Sequence, residues 1–252
     1  MMFDLNGKLA LVTGSSRGIG KAIAIKLAMA GCDVIVHGRS NSDALKETAL
    51  EIEKLGRKAY TVFCDTSDVS QIENMFKQIK DKFGYIDIMV NNAAILYRTP
   101  FMEISVDEWD KIMETNARGY FLCSQNAAKL MMDKKWGRII NISSISQLET
   151  APNRVHYCVS KAAIGMLTKG LALELAPYGI TANTVLPGSI HTDFNDDVLS
   201  DPDYYKNCVD GIPLGRIGKA DDIAGAVVML ASDEASYTTG AEIVIDGGKT
   251  VF

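Results

Sequence analysis

The sequence predicts a single-domain α/β fold, a doubly wound parallel sheet with helices on both faces. Three observations carry this. Short β-branched runs alternate with longer segments of helical period. The short runs are apolar throughout rather than alternating, as in strands buried on both faces. Right-handed crossovers then wind such a sheet outward in both directions. No repeat, low-complexity stretch or linker divides the chain, so residues 1–252 are expected to form one unit.

Each element follows from local chemistry. Lys8–Thr13 reads as a buried strand, and Gly18–Ala30 as a helix ended by Gly31. Asp33–His37 is a second strand, followed by a helix over Ser42–Leu55 that Gly56 stops. Ala59–Phe63 is a third strand, and Val69–Phe83 a helix stopped by Gly84. Ile86–Val90 is a fourth strand. Val106–Lys134 is mostly helical, and Arg138–Ile142 is a fifth strand. Val155–Ala176 is a long helix closed by Pro177. Ile180–Leu186 and Glu242–Ile245 supply two more strands, with an acid-opened helix over Ala220–Leu230 between them.

Composition narrows the function. Lys and Arg number 26 against 31 Asp and Glu, a net charge of −5, which argues against a nucleic-acid partner. No apolar run reaches the roughly 18 residues of a membrane span. Met1–Lys8 lacks the regions of a signal peptide, so a cytoplasmic location is expected. The five cysteines are scattered, with no C-x-x-C, and the three histidines are far apart. Reduced thiols and no metal are expected.

The first strand runs into Thr13-Gly14-Ser15-Ser16-Arg17-Gly18-Ile19-Gly20 and a helix starts at once. Glycines permit close approach of a pyrophosphate, and the helix N-terminus offers it free N–H groups. The spacing G-x-x-x-G-x-G differs from the general fingerprint, and a plain strand-to-helix turn is the alternative. The strand context favours a dinucleotide and hence a Rossmann-type sheet. An NAD site would place an acid after the second strand. Here Arg39 stands instead, with Arg17 nearby, so NADP is preferred over NAD unless both are ordinary surface arginines. Asp65 is placed to accept from an adenine or to cap a helix. Asn91-Asn92-Ala93-Ala94, ending the fourth strand, lets a cofactor lie flat or simply turns the chain.

Tyr157 and Lys161 share one helix face at i, i+4, and Ser144 follows the fifth strand. Such a pair is usually a solvated face, but Lys161 sits in an otherwise uncharged stretch. Asn116 lies on the apolar stripe Trp109, Ile112, Met113, Asn116, Tyr120, Cys123, Ala127 and must be hydrogen-bonded. With these motifs and Pro187-Gly188, the chain resembles the single-domain short-chain dehydrogenase/reductases over nearly its whole length; Ala94 departs from the family's usual Gly. The resemblance implies that Tyr157 exchanges the proton, Ser144 holds the substrate oxygen and Lys161 binds the nicotinamide ribose. It also implies that Asn116 holds a relay water and that Thr192 contacts the carboxamide. The cofactor-binding set is then Gly14, Ser16, Arg17, Gly18, Ile19, Gly20, Arg39, Asp65, Asn92, Ala93, Tyr157, Lys161, Pro187, Gly188, Ile190 and Thr192. A Tyr at its ordinary pKa of about 10 needs a drop of ~2–3 units for base work near neutrality. A Lys161 cation ~4 Å away is expected to provide it.

The pocket segments Ile95–Arg98, Ile145–His156 and Ser189–Asp210 carry Ser146, Gln147, Glu149, Asn153, Arg154, His156 and His191, while Leu148, Ile190 and Phe194 offer an apolar slot. Ser146, Gln147, Asn153, His156 and His191 are the candidate substrate contacts. Convergent polar groups suit a sugar or polyol. The loops are also similar to those of glucose and rhamnose 1-dehydrogenases. A 3-oxoacyl-(acyl-carrier-protein) reductase or general carbonyl reductase is the alternative, its carrier met by a patch of Lys134, Lys135 and Arg138. A nonenzymatic NADP sensor is a third reading, which the intact Ser144, Tyr157 and Lys161 oppose. Ser189–Asp210 is either a lid or a short helical excursion. Small residues Ala162, Ala163, Gly165, Gly170 and Ala172 allow close helix packing. The resemblance implies a homotetramer using these helices and Glu242–Phe252.

Overall fold

The computed structural model describes residues 2–251. Seven parallel strands form one sheet in the order β3-β2-β1-β4-β5-β6-β7. They are β1 Leu9–Val12, β2 Asp33–Gly38, β3 Ala59–Phe63, β4 Ile88–Asn91, β5 Gly137–Ile142, β6 Ile180–Pro187 and β7 Glu242–Ile245. The helices are α1 Gly18–Met29, α2 Asp43–Lys54, α3 Val69–Phe83, α4 Val106–Met113, α5 Gly119–Met131, α6 Val155–Leu175, α7 Asp196–Leu199, α8 Pro202–Asp210 and α9 Ala220–Ala231.

The continuous apolar strands are buried on both faces, as the pattern requires. Ala10 and Val12 pack into a core with α1 and α9, while Leu9 and Leu11 pack into a second core with α3 and α5. Strand order reverses between β1 and β4, which opens a crevice beyond their carboxyl ends. β4 starts two residues later than the apolar run. The carboxylate of Asp87 takes the Leu9 N–H at 2.9 Å, so ladder pairing begins at Ile88.

The expected helix over Val106–Lys134 is interrupted. Between α4 and α5, residues Glu114–Arg118 form one wider π-turn, a local feature frequent at functional sites. Ser42 and Asp68, not Asp65, cap α2 and α3. The small residues of α6 divide between two faces. Gly165 packs on the Gln147 side chain and Ala172 is buried, while Met166 and Leu173 stand exposed on the opposite face. The helical repeat places residues 165 and 172 inward and residues 166 and 173 outward. Phe252, the end of the segment expected to join the assembly, lies outside the described residues.

Two of the three residues of the possible basic patch have internal partners. Lys134 is paired with the buried Asp87 at 2.9 Å and lies over the Tyr85 ring. Arg138 is buried, paired with Asp233 and stacked on Trp136. Both cations are used by the core rim. Among the described residues no helix is long and apolar enough to cross a membrane.

Candidate active site

The glycine turn is held open by side chains on three strands. Thr13 Oγ1 accepts from the N–H groups of Asn92 and Ala93, while Asn92 Nδ2 donates to the Thr13 carbonyl. Gly14 N–H donates to His37 Nδ1 at 3.0 Å. His37 Nε2 faces the Cys64 carbonyl, so the neutral ring donates there. Burial lowers the His37 pKa to about 4, which keeps it neutral as a strut between turn, β2 and β3. Sequence reading set this histidine aside, because only the fold brings its partners together.

A Cβ on Gly20 would collide with the Gly14 carbonyl and Asn92 Nδ2, so α1 can start this close to β4 only with glycine. No side chain caps α1, whose N-cap is Arg17 in extended conformation. Its first N–H groups remain available to an anion.

A cavity of ≈ 510 Å³ runs from this turn along the strand ends. Every residue of the expected cofactor set lines it, from Gly14 and Arg39 through Asp65 and Asn92 to Pro187, Ile190 and Thr192. The glycine cradle, the uncapped helix and the cavity's extent fit a dinucleotide. Arg17 lies 3.6 Å from Asp193, both well exposed. Asp65 accepts from the N–H and hydroxyl of Ser67, and these bonds hold its carboxyl below the usual range against the desolvation of its partial burial. Tyr97 and Asn195 come from the expected pocket segments, whereas Lys111 and Thr115 are walls that sequence reading missed. Asn195 fixes its own loop, accepting from Thr192 N–H and donating to the Ile190 carbonyl.

At the far end of this cavity stand Ser144, Tyr157 and Lys161. Tyr157 and Lys161 are buried on α6, and Ser144 Oγ accepts from Ser146 N–H at 3.0 Å at the start of the next turn. Lys161 Nζ donates to the Ile142 carbonyl at 3.0 Å, an oxygen that also accepts from Tyr120 at 2.9 Å. Nζ sits 5.6 Å from the Tyr157 ring centre. The lowered tyrosine pKa expected from the sequence is not what the protein's own field produces. Burial pushes Tyr157 up to about 12, with Ser144, Arg154 and Arg98 pulling the other way, and burial drops Lys161 to about 7. Desolvation outweighs these groups, and the same burial weakens the charge on Lys161 itself.

Asn116 is fully buried in the π-turn. Its Oδ1 accepts from Ile95 N–H, and its Nδ2 faces the Ile95 carbonyl and Ser160 Oγ. The side chain is therefore spent on positioning the loop that lines the cavity.

Beyond Ser144 and Tyr157 the crevice continues into a second cavity of ≈ 140 Å³, closed over by α7 and α8. Of the five candidate substrate contacts, Ser146 lines it. The other four lie off its walls. Gln147 turns back onto Gly165, and His191 points outward to Asp196 at 3.0 Å. His156 is buried against Glu108 at 2.8 Å, because position 156 faces α4 when Tyr157 faces the crevice. Asn153 adopts φ 64° in the turn before α6, where its carbonyl accepts from Thr99 N–H at 2.8 Å.

Comparison with known proteins agrees with this geometry. A family model described as enoyl-(acyl carrier protein) reductase matches residues 14–250. The 3beta-hydroxysteroid dehydrogenase 1 of Eggerthella lenta is 38% identical, the match covering 100% of this chain and 97% of that protein. A 3-oxoacyl-(acyl-carrier-protein) reductase of Aquifex aeolicus is 42% identical over 98% of this chain and 99% of its own. The crystal structure of a gluconate 5-dehydrogenase from Burkholderia cenocepacia, in complex with NADP and tartrate, superposes with a TM-score of 0.95. It is 34% identical and covers 99% of this chain and 98% of its own.

Proposed function

The chain belongs to the short-chain dehydrogenase/reductase family, and from that premise we propose that it oxidises a secondary alcohol of a small polyhydroxylated substrate with NADP. One observation carries this reading. Ser144 and Tyr157 line both cavities, standing where a dinucleotide-sized space meets a compact second one.

A bound nicotinamide supplies the acceptor for the hydride that leaves the carbinol carbon. The rest falls to the protein. Ser144 holds the substrate oxygen by a hydrogen bond. The positive charge that an oxidised nicotinamide would bring beside Tyr157 would favour its ionised form against the burial that raises it; Tyr157 Oη then takes the hydroxyl proton as the carbon–oxygen double bond forms, and in the reverse direction returns it. Lys161, fixed at the Ile142 carbonyl, places a donor on the cofactor side of Tyr157. Arg39, on the cavity wall after β2, would hold the 2′-phosphate of NADP. The substrate cavity falls below the roughly 300–1,000 Å³ typical of drug-sized ligands, which favours a compact substrate. The reduction of a carrier-bound 3-oxoacyl group is disfavoured because Lys134 and Arg138 are tied into internal pairs. The single domain acts in a homotetramer, for which the exposed Met166 and Leu173 of α6 supply an apolar face.

Initial rates of NADP⁺ reduction at mildly alkaline pH, over a panel of aldoses, aldonates and polyols, test the assignment. Tyr157→Phe should lower kcat by roughly 10²–10⁴-fold, the usual worth of general acid–base catalysis. Unchanged turnover in that variant refutes the role.

A further inference from the structure

We propose that Glu149 and Lys249 determine specificity in the second cavity by reading two neighbouring hydroxyls of the substrate. One comes from the turn after β5 and the other from the C-terminal tail. This rests on the reaction assigned above and names the residues that select its polyhydroxylated substrate.

Both side chains stand on the wall of the ≈ 140 Å³ cavity, in the same space as Ser144 and Tyr157. Their charged ends are 3.5 Å apart and partly exposed. That separation is longer than the 2.7–2.9 Å of a charge-assisted hydrogen bond, so neither group is consumed by the other. An exposed pair of this length contributes little to folding. The carboxylate keeps acceptor sites and the ammonium keeps donors, all facing a space that a small substrate enters.

The backbone presents both groups rigidly. Glu149 N–H donates to the Ile145 carbonyl at 3.0 Å, closing the turn that begins at Ser144. Glu149 is therefore fixed to the same turn as the serine that holds the substrate oxygen. On the other side, the Asp246 carboxylate accepts from Gly248 N–H at 2.8 Å and from Thr250 N–H at 2.7 Å. These bonds anchor the two residues flanking Lys249. The tail bends at Gly247, with φ 70°, where a Cβ would collide with Ile212. Gly188, on the wall of both cavities, has no room for a Cβ beside Asp246. The tail thus packs directly on the strand end that borders the site.

A hydroxyl donates and accepts at once. Of two vicinal oxygens, one donates to Glu149 while its neighbour accepts from Lys249. The ion pair cancels its own charge, so a diol completes it without bringing a counter-charge. An alcohol that lacks those hydroxyls displaces water from both groups and leaves them unpaired, which is how a polar site rejects a deoxy analogue.

The test compares C4 to C6 alditols with secondary alcohols of equal length, which keep the carbinol and lack the neighbouring hydroxyls. Binding to the NADPH-loaded protein is measured by calorimetry, which needs no turnover, alongside NADP⁺ reduction rates. Lys249→Met should weaken alditol binding roughly ten- to a hundred-fold, the usual range for a lost hydrogen bond to a charged group. In turnover the loss should fall on KM rather than kcat. Glu149→Gln should show a smaller loss, because the amide still accepts, and Lys249→Arg should recover part of the Lys249→Met loss. Losses for the simple alcohols should be at least about five-fold smaller. Thermal midpoints of all variants check folding. Absent alditol binding, unchanged alditol affinity in Lys249→Met, or equal losses for alditol and simple alcohol would each overturn the proposal. Absence of hydride transfer from every alditol and alcohol would instead defeat the reaction assigned above, while the binding difference would still decide the role of Glu149 and Lys249.

Discussion

Lys161 is 2% exposed, and its pKa falls from 10.5 to about 7 because burial disfavours the ammonium. That shift has a stability consequence with a definite sign. The unfolded chain holds the proton more tightly, so burial of the charged lysine destabilises the fold fully below pH 7. The penalty is relieved as pH rises from about 7 towards 10.5. A depression of this size corresponds to about 5 kcal/mol. The hydrogen bond to the Ile142 carbonyl offsets about 1.5–3 kcal/mol of it. The Lys161→Met variant keeps the length of the side chain and drops the charge. It should therefore be more stable than wild type by about 2–3 kcal/mol at pH 6.5, and wild type, gaining about 3.5–4 kcal/mol over the interval, should be the more stable by about 1 kcal/mol at pH 10. Urea unfolding of both proteins at each pH, at one fixed protein concentration, reads this directly as midpoint shifts. A variant no more stable than wild type at pH 6.5, or a gap equal at both pH values, refutes the reasoning. The same substitution should abolish turnover, making Lys161 a case of stability surrendered to function.

Two further substitutions probe the cofactor end. Gly20→Ala forces a Cβ against the Gly14 carbonyl and Asn92, so NADPH affinity by fluorescence titration should fall more than about ten-fold, with a lower thermal midpoint. Arg39→Asp exchanges the fork proposed for a 2′-phosphate for an acceptor suited to a ribose hydroxyl. NADP⁺ affinity should drop roughly ten- to a hundred-fold while NAD⁺ affinity holds or improves, and equal losses for both would exclude Arg39 as the selector.

The alternation of apolar runs with helical segments determined the sheet class by itself, because burial on both faces leaves no other pattern for a parallel strand. The glycine turn and the i, i+4 pair Tyr157–Lys161 were equally legible, since both are local: a few residues of backbone or one turn of helix set their geometry. What the sequence could not decide were relations between distant segments. His156 read as a pocket residue until α4 supplied Glu108 to it. His37 carried no signal, because its partners Gly14 and Cys64 arrive from other strands. The π-turn that places Asn116, the consumption of Lys134 and Arg138 by internal pairs, and the meeting of Glu149 with Lys249 are of the same kind. The tyrosine's ionisation shows why. Its neighbours in sequence supplied a cation, but the desolvation that outweighs that cation is a property of everything packed around the site, which exists only once the chain has folded.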